Sequence, residues 1–177
     1  MDFSPMLDRP LDNLLGLIRF NVVNVTKACY YFLQPMRKRG RGGVVIMSSV
    51  SGLVGGQPGS GMYSATKAFE LVFAESLWAE LRRENVDVIG VAAPPMATPA
   101  ALGVLAASGM DKPEIVNGLY QPRDVVATVL AQLGREPSHV FDYIGVDTES
   151  GDSVAKARHL RINAVEDSVA KLFGLDK

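Results

Sequence analysis

Gly43-Val44-Val45-Ile46-Met47 is a short apolar run, rich in β-branched residues, set between a basic turn and a glycine-rich loop. It is too short for a stable helix, and β-branched side chains pack well on a pleated surface. With no polar alternation, the run reads as a strand buried on both faces, the habit of parallel sheets. Parallel strands need long crossovers, usually helical, and the flanking sequence supplies them. From Leu11 to Met36 apolar residues recur at steps of three and four, ending in Arg37, Lys38, Arg39 and Gly40. Beyond the Gly52–Gly61 loop, a second long helix is expected from Met62 to about Glu84. Its less polar face would carry Phe69, Val72, Phe73, Ser76, Leu77 and Leu81.

Val86–Ala92 is the next expected strand, stopped by Pro94, Pro95 and Pro99. Residues 100–119 are small and apolar, interrupted by Gly103 and Gly109, and read as short helices and a flap. Met96, Leu102, Leu105, Met110, Ile115 and Leu119 either line an apolar pocket there or form the packed faces of those helices. A third helix is expected over Pro122–Leu133, closed by Gly134, then a third strand over Val140–Val146 and a helical tail over about 150–177. Strand, helix, strand, helix, strand implies an α/β fold with a parallel sheet and helices on its faces. The whole chain, 1–177, reads as one domain. The first helix has no strand ahead of it, so the pattern resembles the later part of a larger α/β fold.

Composition narrows the function. The chain has 177 residues, 47% hydrophobic and 21% charged, which suits a globular core. A formal net charge of -1 gives no global attraction for nucleic acid or an anionic membrane. The one basic cluster, Arg37, Lys38, Arg39 and Arg41, has no interleaved aromatics and fits cations at a helix C-terminus. Cys29 is the single cysteine, so no internal disulfide forms, and neither His139 nor His159 has metal-ligand spacing. No apolar run approaches the length of a membrane span, and Met1–Pro5 lacks the features of a signal peptide. A cytoplasmic, reducing location is the default expectation.

Chemistry concentrates in Tyr63-Ser64-Ala65-Thr66-Lys67. Tyr63 and Lys67 lie four apart near a helix start and so share a face. A tyrosine working as acid or base near neutrality must lose about three units from about 10, worth about 4 kcal/mol. One cation about 4 Å away supplies about that much at an effective dielectric of 20. Such spacing also arises by chance on helix surfaces, but here Ser48-Ser49 ends the preceding strand, where ligands of open α/β sheets bind.

Ser49-Val50-Ser51-Gly52, followed by Tyr63-Ser64-Ala65-Thr66-Lys67, resembles the catalytic signature of the short-chain dehydrogenases/reductases. The resemblance covers residues 11 to about 146. It implies the C-terminal part of a Rossmann-like, doubly wound parallel sheet, about three strands with flanking helices. It also implies an NAD(P)-dependent oxidoreductase that interconverts a secondary alcohol and a carbonyl. The family's helix asparagine falls by spacing on Asn21, with Asn24 as competitor. By resemblance, Tyr63 exchanges the proton with the substrate oxygen, and Lys67 tunes Tyr63 and holds the nicotinamide ribose. Ser49 polarises the carbonyl, and Asn21 holds a water in the proton path. Pro94 and Thr98 would meet the nicotinamide. Three departures bear on those contacts and on the loop: Pro95 stands where the family has glycine, Thr98 comes one residue early, and the Ser49–Tyr63 interval is one residue long. The family's Thr-Gly-x-x-x-Gly-x-Gly turn, which receives the cofactor pyrophosphate, and its Asn-Asn-Ala-Gly segment do not occur in the chain. The expectation is a fragment, or a gene model begun at an internal methionine, that retains only the nicotinamide end of an NAD or NADP site. The family's long helices commonly form a dimer interface, so a homo-oligomer is expected. The competing reading is a catalytically incompetent subunit that acts only by association. A serine hydrolase is disfavoured, since no Gly-x-Ser-x-Gly elbow occurs.

Overall fold

The computed structural model describes residues 4–53, 59–107, 109 and 111–141. Leu11–Ile18 (α1), a π-helical segment Arg19–Asn24, and Val25–Arg39 (α2) follow one another without a break. This is the long helix expected from the apolar stripe, buried at Leu14, Asn21, Cys29 and Leu33. Arg37, Lys38 and Arg39 occupy its last turn, where the helix dipole favours cations.

Gly42–Met47 (β1), Val86–Ala92 (β2) and Ser138–Val140 (β3) form a parallel sheet in the order β1-β2-β3. β2 is the shared centre. Val86, Val88, Ile89, Val91 and Ala92 are fully buried, and burying a Val- or Ile-sized side chain stabilises by about 1.5–3 kcal/mol. The burial expected on both faces of β1 is corrected: Ile46 is buried, but Gly43 and Met47 are exposed. Within the described sheet, β1 is an edge strand, paired only with β2.

Helices cover both faces. On one, Gly61–Leu81 (α3) and α2 pack Cys29, Leu33, Ala74, Trp78 and Leu81 against Ile46, Val86 and Val88. The close fit depends on Gly90, where a Cβ would fall 2.9 Å from the Cβ of Ala74. On the other, Pro122–Gln132 (α6) packs Val125 and Val129 with Ile89, Val91 and Phe141. The face expected for α3 is also corrected. Leu81 is buried and Phe73 and Leu77 pack against the core as expected, but Val72 and Ser76 are exposed, and the helix also buries Leu71, Ala74 and Trp78 with Glu70 and Glu75. Buried carboxylates and exposed apolar residues on one helix blur the periodicity from which its orientation was read.

Pro99–Ala107 (α4) and Pro113–Asn117 (α5) occupy the region expected to hold short helices, and neither buries a residue. The third strand begins two residues earlier than expected. It ends at Val140, with Phe141 past it, and residues 142–146 of the expected Val140–Val146 strand, the 150–177 tail and Met110 lie outside the described residues.

Candidate active site

Met47, the last residue of β1, and Ser48 bind the strand end to α3, and Ser49 follows them. The backbone carbonyl of Met47 accepts a hydrogen bond from Lys67 Nζ at 2.9 Å. Ser48 is buried, and its Oγ donates to the Lys67 carbonyl at 2.6 Å. Ser49 is extended, and its Oγ accepts from the Ser51 amide at 3.2 Å, capping the short 3-10 turn Val50–Gly52. Serine is suited to this because its short side chain reaches the free amides of a helical start. The turn is held at both ends. Val50 N–H donates to the Ala93 carbonyl at 3.0 Å, beyond β2. Gly52 lies so close to α3 that a Cβ there would stand 2.7 Å from the Lys67 carbonyl carbon. Ser49 is thereby fixed relative to α3 at the C-terminal end of the sheet, where open α/β folds receive ligands.

Tyr63 and Lys67, in the first turns of α3, are both half-buried, and Lys67 Nζ stands 5.8 Å from the Tyr63 ring centroid. Nζ also donates to Glu70 Oε2 at 2.8 Å, in an ion pair whose side chains are 13% and 3% exposed. Burial pushes the Glu70 carboxyl above its ordinary range, and the Lys67 ammonium opposes that rise. Asn21 reaches the same helix from across the fold. Its Nδ2 donates to Thr66 Oγ1 at 2.9 Å, and Thr66 Oγ1 donates to the Tyr63 carbonyl at 2.8 Å. The π-helical geometry at Arg19–Asn24 widens the turn that carries Asn21, a distortion often found at functional positions. Asn21, Lys67 and Glu70 are the polar side chains in a cavity of about 320 Å³, otherwise lined by Phe20 and by residues of α2 and β1.

Of the residues expected from the sequence, Asn21, Ser49, Tyr63 and Lys67 are therefore drawn onto the start of α3. Asn21 is buried and bonded, whereas Asn24 is exposed. Pro94 is buried just past β2. Thr98 Oγ1 accepts from the Ala101 amide at 3.1 Å, capping α4. The hydrogen bonds of this segment run to Tyr120 and α4, through Ala97 N–Tyr120 O at 2.9 Å and Tyr120 N–Pro95 O at 3.0 Å. Among the described residues, none joins Pro94 or Thr98 to Tyr63 or Lys67. Two participants were missed in the sequence, Thr66 and Glu70, and Ser48 was noted only as the strand-end neighbour of Ser49. Glu70 alone left a trace, as an acid three residues after a lysine on one helix.

The donor set fits the ribose end of a nicotinamide cofactor. Among the described residues, two of the three Lys67 N–H donors are taken, by Met47 and Glu70, which leaves one for a sugar hydroxyl. A phenol, an ammonium and a hydroxyl can move a proton and polarise a carbonyl.

A family model described as short chain dehydrogenase matches residues 2–109. A cyclopentanol dehydrogenase from Comamonas testosteroni is 28% identical over 144 residues, covering 79% of this chain and 57% of that protein. A 7beta-hydroxysteroid dehydrogenase from Clostridium sardiniense is 27% identical over 120 residues, covering 68% of this chain and 44% of that one. The chain thus spans about half the length of these curated relatives. Among solved structures, a 7beta-hydroxysteroid dehydrogenase superposes with a TM-score of 0.69 at 26% identity, over 98% of this chain and 64% of the other. ElxO with NADP bound shares the fold, with a TM-score of 0.67 at 20% identity, over 80% of this chain and 60% of that one.

Proposed function

Because the chain belongs to the short-chain dehydrogenase family, we propose that it carries the catalytic residues of a nicotinamide-dependent oxidoreductase interconverting a secondary alcohol and a carbonyl. The observation that carries this reading is the convergence on α3. Asn21 is bonded to Thr66 at 2.9 Å and Ser48 to the Lys67 carbonyl at 2.6 Å, so the strand end and the helix asparagine are both tied to the turns of α3 that carry Tyr63 and Lys67. In relatives of this family the cofactor supplies or accepts the hydride. This chain's residues handle the rest. Tyr63 exchanges a proton at its phenolic oxygen with the substrate oxygen. Lys67 favours the phenolate through its charge and offers its remaining N–H to the nicotinamide ribose. Ser49 Oγ turns from Ser51 toward the substrate carbonyl and orients it. Asn21 holds a water in the path that returns the proton, and Pro94 and Thr98 flank the nicotinamide. The location in this reading is cytoplasmic, and the substrate a small alcohol or its carbonyl.

The test is Tyr63→Phe, made in a protein where a glycine-rich nucleotide-binding segment precedes these residues. Losing one hydroxyl should lower kcat at least about a hundredfold, the lower end for general acid–base catalysis, with circular dichroism unchanged. Turnover within tenfold of the parent would sink the assignment.

A further inference from the structure

The Lys67 ammonium has a partner that the reaction as proposed does not use. Glu70 Oε2 lies 2.8 Å from Nζ, one turn farther along α3 and on the side away from Tyr63 in sequence. Its side chain is 3% exposed, more buried than that of the lysine it holds. A carboxylate so placed is costly to keep charged without a cation, and a cation so paired is no longer a full charge for anything else. Lys67 is held by Glu70 and by the Met47 carbonyl at 2.9 Å, so its ammonium is fixed at one place in the cavity beside Asn21.

We infer that Glu70 is a positioning residue for the proton-transfer step: it clamps the Lys67 ammonium and takes up part of its charge, so that Glu70 sets how strongly Lys67 favours the Tyr63 phenolate. This rests on the reading of Tyr63 and Lys67 as the working pair. Lys67 Nζ is 5.8 Å from the Tyr63 ring centroid and 2.8 Å from Glu70. Glu70 Oε2 therefore lies within about 9 Å of the Tyr63 ring centroid, and removing its charge should make the phenolate easier to form. Among the described residues lining the cavity, Cys29 is the other titratable side chain, on α2. Burial raises both the Cys29 thiol and the Glu70 carboxyl.

The experiment follows tyrosine ring carbons by nuclear magnetic resonance across a pH titration of the 177-residue chain, with Tyr63→Phe identifying the Tyr63 resonance among the five tyrosines. Glu70→Gln should bring Tyr63 ionisation to lower pH, and Lys67→Met should move it higher. If Lys67→Met moves Tyr63 and Glu70→Gln does not, Glu70 is only a structural partner of Lys67 and the inference is overturned, while the functional reading stands. If neither moves it, the functional reading falls as well. Should Glu70→Gln fail to fold, the unaltered chain suffices. Its Glu70 carboxyl and Tyr63 ring resonances should shift together as Glu70 titrates. A Tyr63 resonance blind to that titration would overturn the inference.

Discussion

The proposed function asks Lys67 to do two things with one charge: favour the Tyr63 phenolate and hold a ribose. Both depend on the ammonium, not on the four-carbon stem. Lys67→Met keeps the stem, so in an active parent the pH optimum should move up and activity at pH 7 should fall steeply. A pH–rate profile that superimposes on the parent's would show that Lys67 does not tune the tyrosine. Glu70 makes a separate prediction about stability. Its carboxyl is raised by burial, with Lys67 opposing, so the folded chain keeps the proton to a higher pH than the unfolded chain. The stability this contributes is complete below the pH at which an unfolded glutamate titrates, and it is lost as pH rises through the raised folded value. Thermal melting of the parent should therefore decline across that window relative to Glu70→Gln; parallel curves would contradict it. The pair Tyr63/Lys67 was legible because its chemistry needs two residue types at a helical spacing. Thr66 and Ser48 were not, since a threonine or serine gives no sign of which backbone or amide group it will bond.

Elements place these side chains through close approaches more than through individual bonds. The Val50–Gly52 turn lies directly on α3, and only a glycine at position 52 allows it, a Cβ there falling 2.7 Å from backbone. Backbone cannot swing aside as a flexible side chain can. Gly52→Ala should therefore lower stability by about 1–3 kcal/mol, the usual range for overpacking, and should displace Ser49. Denaturant unfolding would measure the first effect, and loss of carbonyl-reducing activity in an active parent the second. A variant as stable and active as its parent would mean that the turn is free to lift. Such contacts explain what the sequence hid. β2 was legible to the residue because it is central and apolar except for the exposed Asp87, with proline beyond it. The burial of β1 was misread because an apolar pattern reports what a strand can bury, not how many partners it has. The face of α3 was misread because the helix turns Glu70 and Glu75 inward and leaves Val72 out.

Over the described residues, the large apolar side chains left uncovered fall mainly on the first long helical run, with Val72 on α3 and Val126 and Leu130 on α6. Phe20 is 71% exposed, Tyr31 69%, Phe32 65% and Val72 56%. Large aromatics at that exposure favour association, so the chain should be dimeric or larger, or aggregate, at micromolar concentration. Sedimentation of a stable, compact monomer would count against that. Cofactor binding by the same 177 residues follows from what they contain. In the proposed function Tyr63, Lys67 and Thr98 meet the nicotinamide-ribose end, but the sequence holds no glycine-rich turn opening a helix toward a pyrophosphate. In dinucleotide-binding folds that turn and the adenosine pocket provide much of the affinity. Losing contacts worth about 4 kcal/mol weakens binding about a thousandfold, which takes a micromolar dissociation constant to millimolar. Lys67 cannot compensate, because two of its donors are committed to Met47 and Glu70. Calorimetric titration of the purified chain with NADH and with NADPH should therefore detect no binding tighter than about 100 µM, about -5.5 kcal/mol. A panel of ketones should show no turnover. Tighter binding would mean that the cavity between α2, β1 and α3, or another surface of these residues, holds the cofactor without a glycine-rich turn.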